Sequence, residues 1–506
     1  MTIIRALTRR TTHSLIFTRS FTTSHSEIYI PKKMLTSTMT VTFLGTSSGG
    51  GPSTSRNCSS LVADVLGDNS LWMVDCAEGT LRQFHLQPSS MDRSKLRVSQ
   101  VKKIFITHMH ADHVMGIVPV LRNLLFPVPI GPDAEELEAL RKPYPTIEIY
   151  GPAGIRTFVR SILKMTLTRM ADKYVVHELL TPTDPVTSCS PDDMHVNEAA
   201  GENIVCSTED GLWRNVTQGK GILGPVVVDA GPIVHRDPCI GYVIRETVHP
   251  FRKIVILGDT CDPSAIMPLC ISPSPSLLIH EAADAHIPQE IDAKAKRSYN
   301  VVSEKAIARG HSLPGMAGAF AKACGAQKLV LNHIGGRFPT PIASEGARIT
   351  NIRSNVITEI ERQANEAWGM GTARVAWDYM RVAVPYFETN LPQTAVEDQY
   401  ANQRPASSQI SADVEMGYSH TDSYPTVYNT WENSHTETRS NSSSHATISN
   451  SGSRSDRQRG RANWFTRPSR GDDEVFRKRE DGGSDNVDLS QNRNHRNYGA
   501  QRKGRS

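Results

Sequence analysis

The chain has 506 residues, a formal net charge of +4 and a hydrophobic fraction of 38%. That length suits one large domain or two ordinary ones, the near-neutral charge neither demands nor excludes a nucleic-acid partner, and the low apolar fraction implies that part of the chain builds no core. The 8 cysteines form no CxxC pair, which argues against a disulfide-built secreted fold, and no run approaches the ~18 apolar residues that cross a bilayer, so no membrane partner is expected.

The first segment reads as an address. Arg5, Arg9, Arg10 and Arg19 are interleaved with Ser, Thr and apolar residues, and no acid precedes Glu27. This is the composition of a mitochondrial presequence, and Arg19-Ser20-Phe21 follows the Arg-x-Phe pattern that precedes matrix cleavage. Residues 1–33 are therefore expected to send the chain to the mitochondrial matrix. Initiation at Met34 or Met39 would leave the folded part whole and supply a cytosolic or nuclear pool.

Residues 40–390 read as one folded catalytic domain. Val41-Thr42-Phe43-Leu44-Gly45 is a buried strand entering a glycine-rich turn, and Leu61-Val62-Ala63-Asp64-Val65 and Leu71-Trp72-Met73-Val74-Asp75 are strands paired through Gly67-Asp68-Asn69. Helices are predicted at 116–125, 154–165, 313–324 and 356–367, and a last strand at 373–384, closed by Pro385. The polar stretch 182–221 reads as a surface loop or insertion. Hairpins mixed with helices predict an α+β sheet sandwich flanked by helices, not a purely parallel sheet. Residues 391–506 carry no hydrophobic periodicity and read as a disordered low-complexity tail. Its last part leans basic, with Arg459-Gly460 and Arg470-Gly471, a composition that can contact RNA.

The chemistry concentrates in Thr107-His108-Met109-His110-Ala111-Asp112-His113, directly after the apolar run Ile104-Phe105-Ile106. In a tight turn His108 and His110 can point at one metal while Asp112 and His113 reach a second. Imidazole and carboxylate suit Zn, Mn or Fe, and the absence of Cys argues against a closed structural zinc site. Three other apolar runs end on a metal-type side chain: Val226-Val227-Val228 leads to His235, Ile254-Val255-Ile256-Leu257 to Asp259, and Leu329-Val330-Leu331 to His333. If those strands neighbour one another, their ends converge on one crevice. Leu277-Leu278-Ile279 is followed by His280-Glu281, and Gly310-His311-Ser312 opens a predicted helix; a Glu bonded to a His would hold the imidazole protonated as a general acid. The Gly45 to Gly51 turn lacks the Lys-Ser/Thr of a phosphate-binding loop and is expected to pass close to the metal crevice.

These segments resemble a known family. The His108-x-His110-x-Asp112-His113 pattern is similar to the signature of the metallo-β-lactamase fold. Phe43-Leu44-Gly45-Thr46, Asp75-Cys76-Ala77-Glu78-Gly79-Thr80, Ile149-Tyr150-Gly151-Pro152-Ala153-Gly154, Gly258-Asp259-Thr260 and Gly310-His311-Ser312 resemble, in order, the blocks of short-form tRNase Z (ribonuclease Z), the tRNA 3′-processing endonucleases. The resemblance covers residues 40–387 and implies a four-layer αββα sandwich of two mixed sheets. It implies two Zn2+ ions, with Mn2+ as an alternative: His108, His110 and His235 on one, Asp112, His113 and His333 on the other, Asp259 bridging. It further implies removal of 3′ trailers from precursor tRNA by two-metal hydroxide attack, with Asp112 orienting the hydroxide, His311 protonating the departing oxygen and Glu281 supporting His311, and a homodimer as the working form. Two departures stand out. The family's HEAT is His280-Glu281-Ala282-Ala283, and the family's tRNA-gripping arm between the equivalents of His235 and Asp259 is absent. The alternative that follows is a phosphodiesterase for small or cyclic nucleotide esters.

Overall fold

The structure, a computed structural model, describes residues 38–386 apart from 90, 92–94 and 127–143; the expected presequence and tail lie outside the described residues. Its strands are short apolar runs, most of them buried on both faces as expected where a sheet is covered on each side. In one sheet, β1 (Met39–Gly45), β3 (Ser60–Asp64), β4 (Leu71–Cys76), β5 (Val101–Phe105), β6 (Ile147–Pro152), β7 (Tyr174–Leu180) and β8 (Glu198–Ala199) lie side by side in that order. β9 (Asn203–Val205) also pairs with β7, and β18 (Arg381–Val384) pairs with β1 at the far edge. The second sheet runs β10 (Trp213–Lys220), β11 (Pro225–Ile233), β12 (Cys239–Glu246), β13 (Lys253–Ile256), β14 (Leu277–Glu281), β15 (Leu329–Asn332) and β17 (Arg374–Val375). A small parallel pair, β2 (Ser47–Ser48) with β16 (Ile334–Gly335), ties the glycine-rich turn to the segment after β15.

Three apolar clusters correspond to three interfaces. Phe43, Trp72, Phe105 and Tyr150 of the first sheet pack against Val228, Tyr242, Ile256 and Ile279 of the second. Helices α1 (Ile117–Leu124) and α2 (Ile155–Met165) cover the outer face of the first sheet through Ile117, Leu121, Ile155 and Val159. Helices α3 (Pro314–Ala323) and α4 (Ala347–Trp368) cover the second through Phe320, Ile360 and Trp368. The result is the expected helix–sheet–sheet–helix layering.

β4 and β5 are parallel, and so are β13, β14 and β15. β11 is antiparallel to β12, which is antiparallel to β13, so β11 also runs in the β13 direction. All these carboxyl ends therefore emerge at one edge of the sandwich, the usual place for a site in parallel sheets.

Three predicted features differ. The single strand expected at 373–384 is two strands in different sheets, β17 pairing β15 and β18 pairing β1. Between them Tyr379 takes φ 69, and its amide donates to the Phe43 carbonyl, so the chain crosses from one sheet to the other. The stretch 182–221 is not a surface loop throughout: β8 and β9 extend the first sheet, β10 edges the second, and Trp213 enters the core between them. Its polar residues alternate outward on β10, which masked the strand. Helix α4 begins nine residues before the predicted 356 because its first turns are mostly polar and half-exposed or exposed, invisible to apolar periodicity.

Candidate metal centre

After β5 the chain turns through Thr107–His110 into a one-turn helix (Ala111–Val114). His108 and His113 are buried, while His110 sits nearer the mouth. The turn is anchored from β4: Asp75 Oδ1 accepts the Thr107 amide at 2.9 Å, and its Oδ2 lies 2.7 Å from His113 Nδ1. Asp75 is buried at φ 57 and His333 at φ 52, left-handed conformations uncommon for non-glycine residues.

Asp259, after β13, occupies the middle. Its carboxylate oxygens lie 3.7 Å from His108 Nε2, 3.6 Å from His113 Nε2 and 3.2 Å from His333 Nδ1. Glycine at 258 permits this approach, because a Cβ there would meet Thr107 Cβ at 2.7 Å. His235, after β11, places Nδ1 2.7 Å from the Gly310 carbonyl. Gly310 at φ 75 can come so near only without a side chain, since its Cβ would meet His235 Nδ1 at 2.6 Å. Asp112 Oδ2 accepts the Gly49 amide at 2.8 Å, so the glycine-rich turn does line the crevice.

Donor atoms of His108, His110, His235 and Asp259 fall within 4.8 Å of one another, as do those of Asp112, His113 and His333. A third group, Asp259, His311 and His333, overlaps both, so the structure brings His311 within donor range of the centre as well. Two observations fit these residues to metal cations. His235 Nε2 is buried with no hydrogen-bond partner, a costly state for a polar nitrogen unless a cation meets its lone pair. Ring nitrogens also face each other, His108 Nε2 to His110 Nδ1 at 2.9 Å and His113 Nε2 to His333 Nε2 at 3.2 Å. Burial first, then the neighbouring His113, pushes His108 down to about 2, which keeps it in the neutral, ligating form. Burial works against the charged form of Asp259, yet His333 and then His113 outweigh it and hold the carboxyl well below its ordinary value.

Glu281, at the end of β14, is buried beside this cluster. Its Oε1 accepts the Thr260 amide at 2.8 Å and lies 3.0 Å from His311 Nδ1, and its Oε2 accepts the Ala283 amide at 3.1 Å. Burial alone would lower His311; the hydrogen bond and charge of Glu281 prevail and raise it. His280 does not join them. Its Nδ1 turns to the Glu281 carbonyl and its ring packs against Phe320 in the core, so the Glu–His pair is Glu281–His311 and not Glu281–His280.

Sequence reasoning gave no role to Asp75, Thr107 or Asp237, although each bonds a donor histidine. Asp75 ends an apolar strand run, the same signal that marked the other donors. A cavity of about 160 Å³ lies elsewhere, lined by Arg56, Pro341, Ile357 and Trp377 among others, and none of the donors borders it.

A family model described as anti-Pycsar protein Apyc1 matches residues 39–127. Ribonuclease Z of Streptococcus sanguinis (strain SK36) is 31% identical over 324 residues, covering 59% of this chain and 90% of that protein. The chain belongs to the ribonuclease Z family. Zinc phosphodiesterase ELAC protein 1 of Bos taurus is 29% identical over 405 residues, covering 69% of this chain and 99% of that protein. The crystal structure of human tRNase Z, short form (ELAC1), aligns with a TM-score of 0.45 at 29% identity, over 68% of this chain and 99% of that one. With the family given, the two-sheet sandwich described above is the metallo-β-lactamase fold that the His108 to His113 pattern implied.

Proposed function

We propose that the protein is a zinc-dependent endoribonuclease that removes 3′ trailers from precursor tRNA. The observation that carries this is the convergence, at one sheet edge, of seven donor side chains with the Glu281–His311 pair beside them. His108, His110 and His235 would hold one zinc ion, Asp112, His113 and His333 a second, and Asp259 would lie between; Mn2+ would suit the same donors. Ions so held supply Lewis acidity, activating water and offsetting charge on the phosphate. The chain's own residues do the rest. Asp112, fixed by the Gly49 amide, orients the attacking oxygen. His311, raised by Glu281, carries the proton that passes to the departing 3′ oxygen. That order of events leaves a 3′ hydroxyl on the tRNA and a 5′ phosphate on the trailer. The test is end analysis of the products from a 3′-extended precursor; a trailer bearing a 5′ hydroxyl would overturn the assignment.

One observation favours a second reading. β12 and β13 are joined by six residues, with Arg245 and Lys253 still in register, so no arm projects between His235 and Asp259. A mouth without that grip suits small or cyclic nucleotide phosphodiesters. For the RNA reading, the Arg-rich part of residues 391–506 would contribute backbone contacts in its place, on a homodimer. Residues 1–33 would deliver the enzyme to the mitochondrial matrix, and initiation at Met34 or Met39 would supply a cytosolic or nuclear pool. Uniform cytosolic signal from a full-length fluorescent fusion would contradict that address.

A further inference from the structure

An imidazole that ligates a metal through one nitrogen needs its other nitrogen held, because that second bond sets both the tautomer and the ring angle. Three of the histidines at this centre have that support at Nδ1: His108 from Thr107 Oγ1 at 3.0 Å, His113 from Asp75 Oδ2 at 2.7 Å, and His235 from the Gly310 carbonyl at 2.7 Å. His110 is turned the other way. Its Nδ1 faces His108 Nε2 at 2.9 Å, inside the donor group, and its Nε2 points outward to Asp237 Oδ2 at 2.6 Å.

On the reading of this cluster as a zinc centre, we propose that Asp237 is a positioning residue: its carboxylate accepts the Nε2–H of His110 and fixes Nδ1 as that ring's ligating atom. The local sequence suits the task. Asp237 lies two residues past His235, in the turn from β11 to β12, so one turn supplies a donor from the second sheet and the strut for a donor of the first. Pro238 follows and confines the Asp237 backbone to extended conformations, which limits where the carboxylate can go. Arg236 Nε stands 3.6 Å from the same Oδ2 and partly offsets its charge.

His110 needs such a strut more than its neighbours. The side chains of His108 and His113 are 0% and 1% exposed and are locked by packing, whereas that of His110 is 20% exposed at the rim. Without Asp237 the ring could rotate about its χ2 bond or present the other tautomer, and the first ion would keep two firm imidazoles instead of three. The bland alternative is a surface ion pair between an exposed carboxylate and a rim histidine, which contributes little to anything. The two differ in what they do to metal affinity.

The test uses the full 506-residue chain, as wild type, Asp237→Ala and Asp237→Asn, titrated with zinc against a chromophoric chelator and loaded separately with cobalt for its visible spectrum. Asp237→Ala should weaken one bound ion by about 10–100-fold and leave the other unchanged, with altered cobalt bands. Asp237→Asn should lose less, since its amide oxygen still accepts the Nε2–H. Far-ultraviolet circular dichroism of the metal-free proteins should coincide, separating a ligand effect from unfolding. Wild-type zinc affinity and an unchanged cobalt spectrum in Asp237→Ala would overturn the proposal and leave a surface ion pair. The readout contains no RNA, so a wild-type protein that binds zinc yet cuts no precursor sinks the ribonuclease reading alone.

Discussion

Replacing Glu281 with Gln probes how His311 is kept protonated. The carboxylate is buried and accepts three N–H groups: Thr260 and His311 at Oε1, Ala283 at Oε2. Gln can keep the Oε1 bonds but presents an NH2 to the Ala283 amide, so the substitution costs one hydrogen bond and the charge behind His311. A hydrogen bond to a charged partner is worth about 1.5–3 kcal/mol, which corresponds to roughly one to two pH units for the imidazole. The sign follows from His311 being raised in the folded protein: its acid form is present below the raised value and is lost as pH rises through it. Glu281→Gln should therefore move the alkaline limb of kcat/KM for precursor cleavage down by about one to two units and slow turnover at pH 8 by roughly 10–100-fold, with little change at the acidic end. The assay is a pH–rate profile on wild type and variant at saturating zinc, with thermal melts to register the lost Ala283 bond. An alkaline limb that stays in place while the melt shows a folded variant would refute the role given to the Glu281–His311 pair.

Other predictions follow from the same geometry. His235→Ala should abolish turnover and reduce bound zinc from about two ions to one without unfolding the chain, because the ring's one hydrogen bond is to Gly310; full zinc content by elemental analysis would contradict its place in the donor set. Burial opposes a charge on His113, but Asp75 and Asp259 hold it up to about 10, so near pH 7 it must lose a proton before ligating. Zinc binding at pH 7 should then release about one proton from this ring, and affinity should rise as pH climbs toward that value. Calorimetry in buffers of differing ionisation enthalpy reads this directly, and the absence of proton release would be incompatible with it. Trp213 is buried, with Nε1 donating to Leu180 and Ile204 carbonyls at 3.1 and 3.0 Å, so Trp213→Ala should cost about 3–5 kcal/mol. An unchanged melting temperature would return that stretch to the status of a surface loop.

The site was more legible than the fold around it. His108, His110, Asp112, His113, His235, Asp259 and His333 each follow an apolar run, and parallel neighbours bring such ends to one edge whatever the loop lengths between them. The pattern survives ignorance of the topology. Asp237 left no such trace, because a hydrogen bond from one turn to a ring on the other sheet has no local signature. The chain at 373–384 looked like one strand since both halves are apolar; its pairing with β15 at one end and β1 at the other is long-range and has no local signature. Likewise β10 is half polar because it is an edge strand with one face open to water, and polar alternation at an edge resembles a loop. Of the neighbours His280 and Glu281, only Glu281 reaches His311. Adjacent residues on a strand point to opposite faces, so only one of the two could face the donor cluster.

The most direct measurement is the ratio of turnover on a 3′-extended precursor tRNA to turnover on a small chromogenic phosphodiester, for the zinc-loaded full chain with His110→Ala as control. Efficient cutting beside the discriminator base, lost in His110→Ala, is the predicted result and would make the arm dispensable here. Turnover of the small ester with the precursor left intact would contradict it and assign the centre to small phosphodiesters.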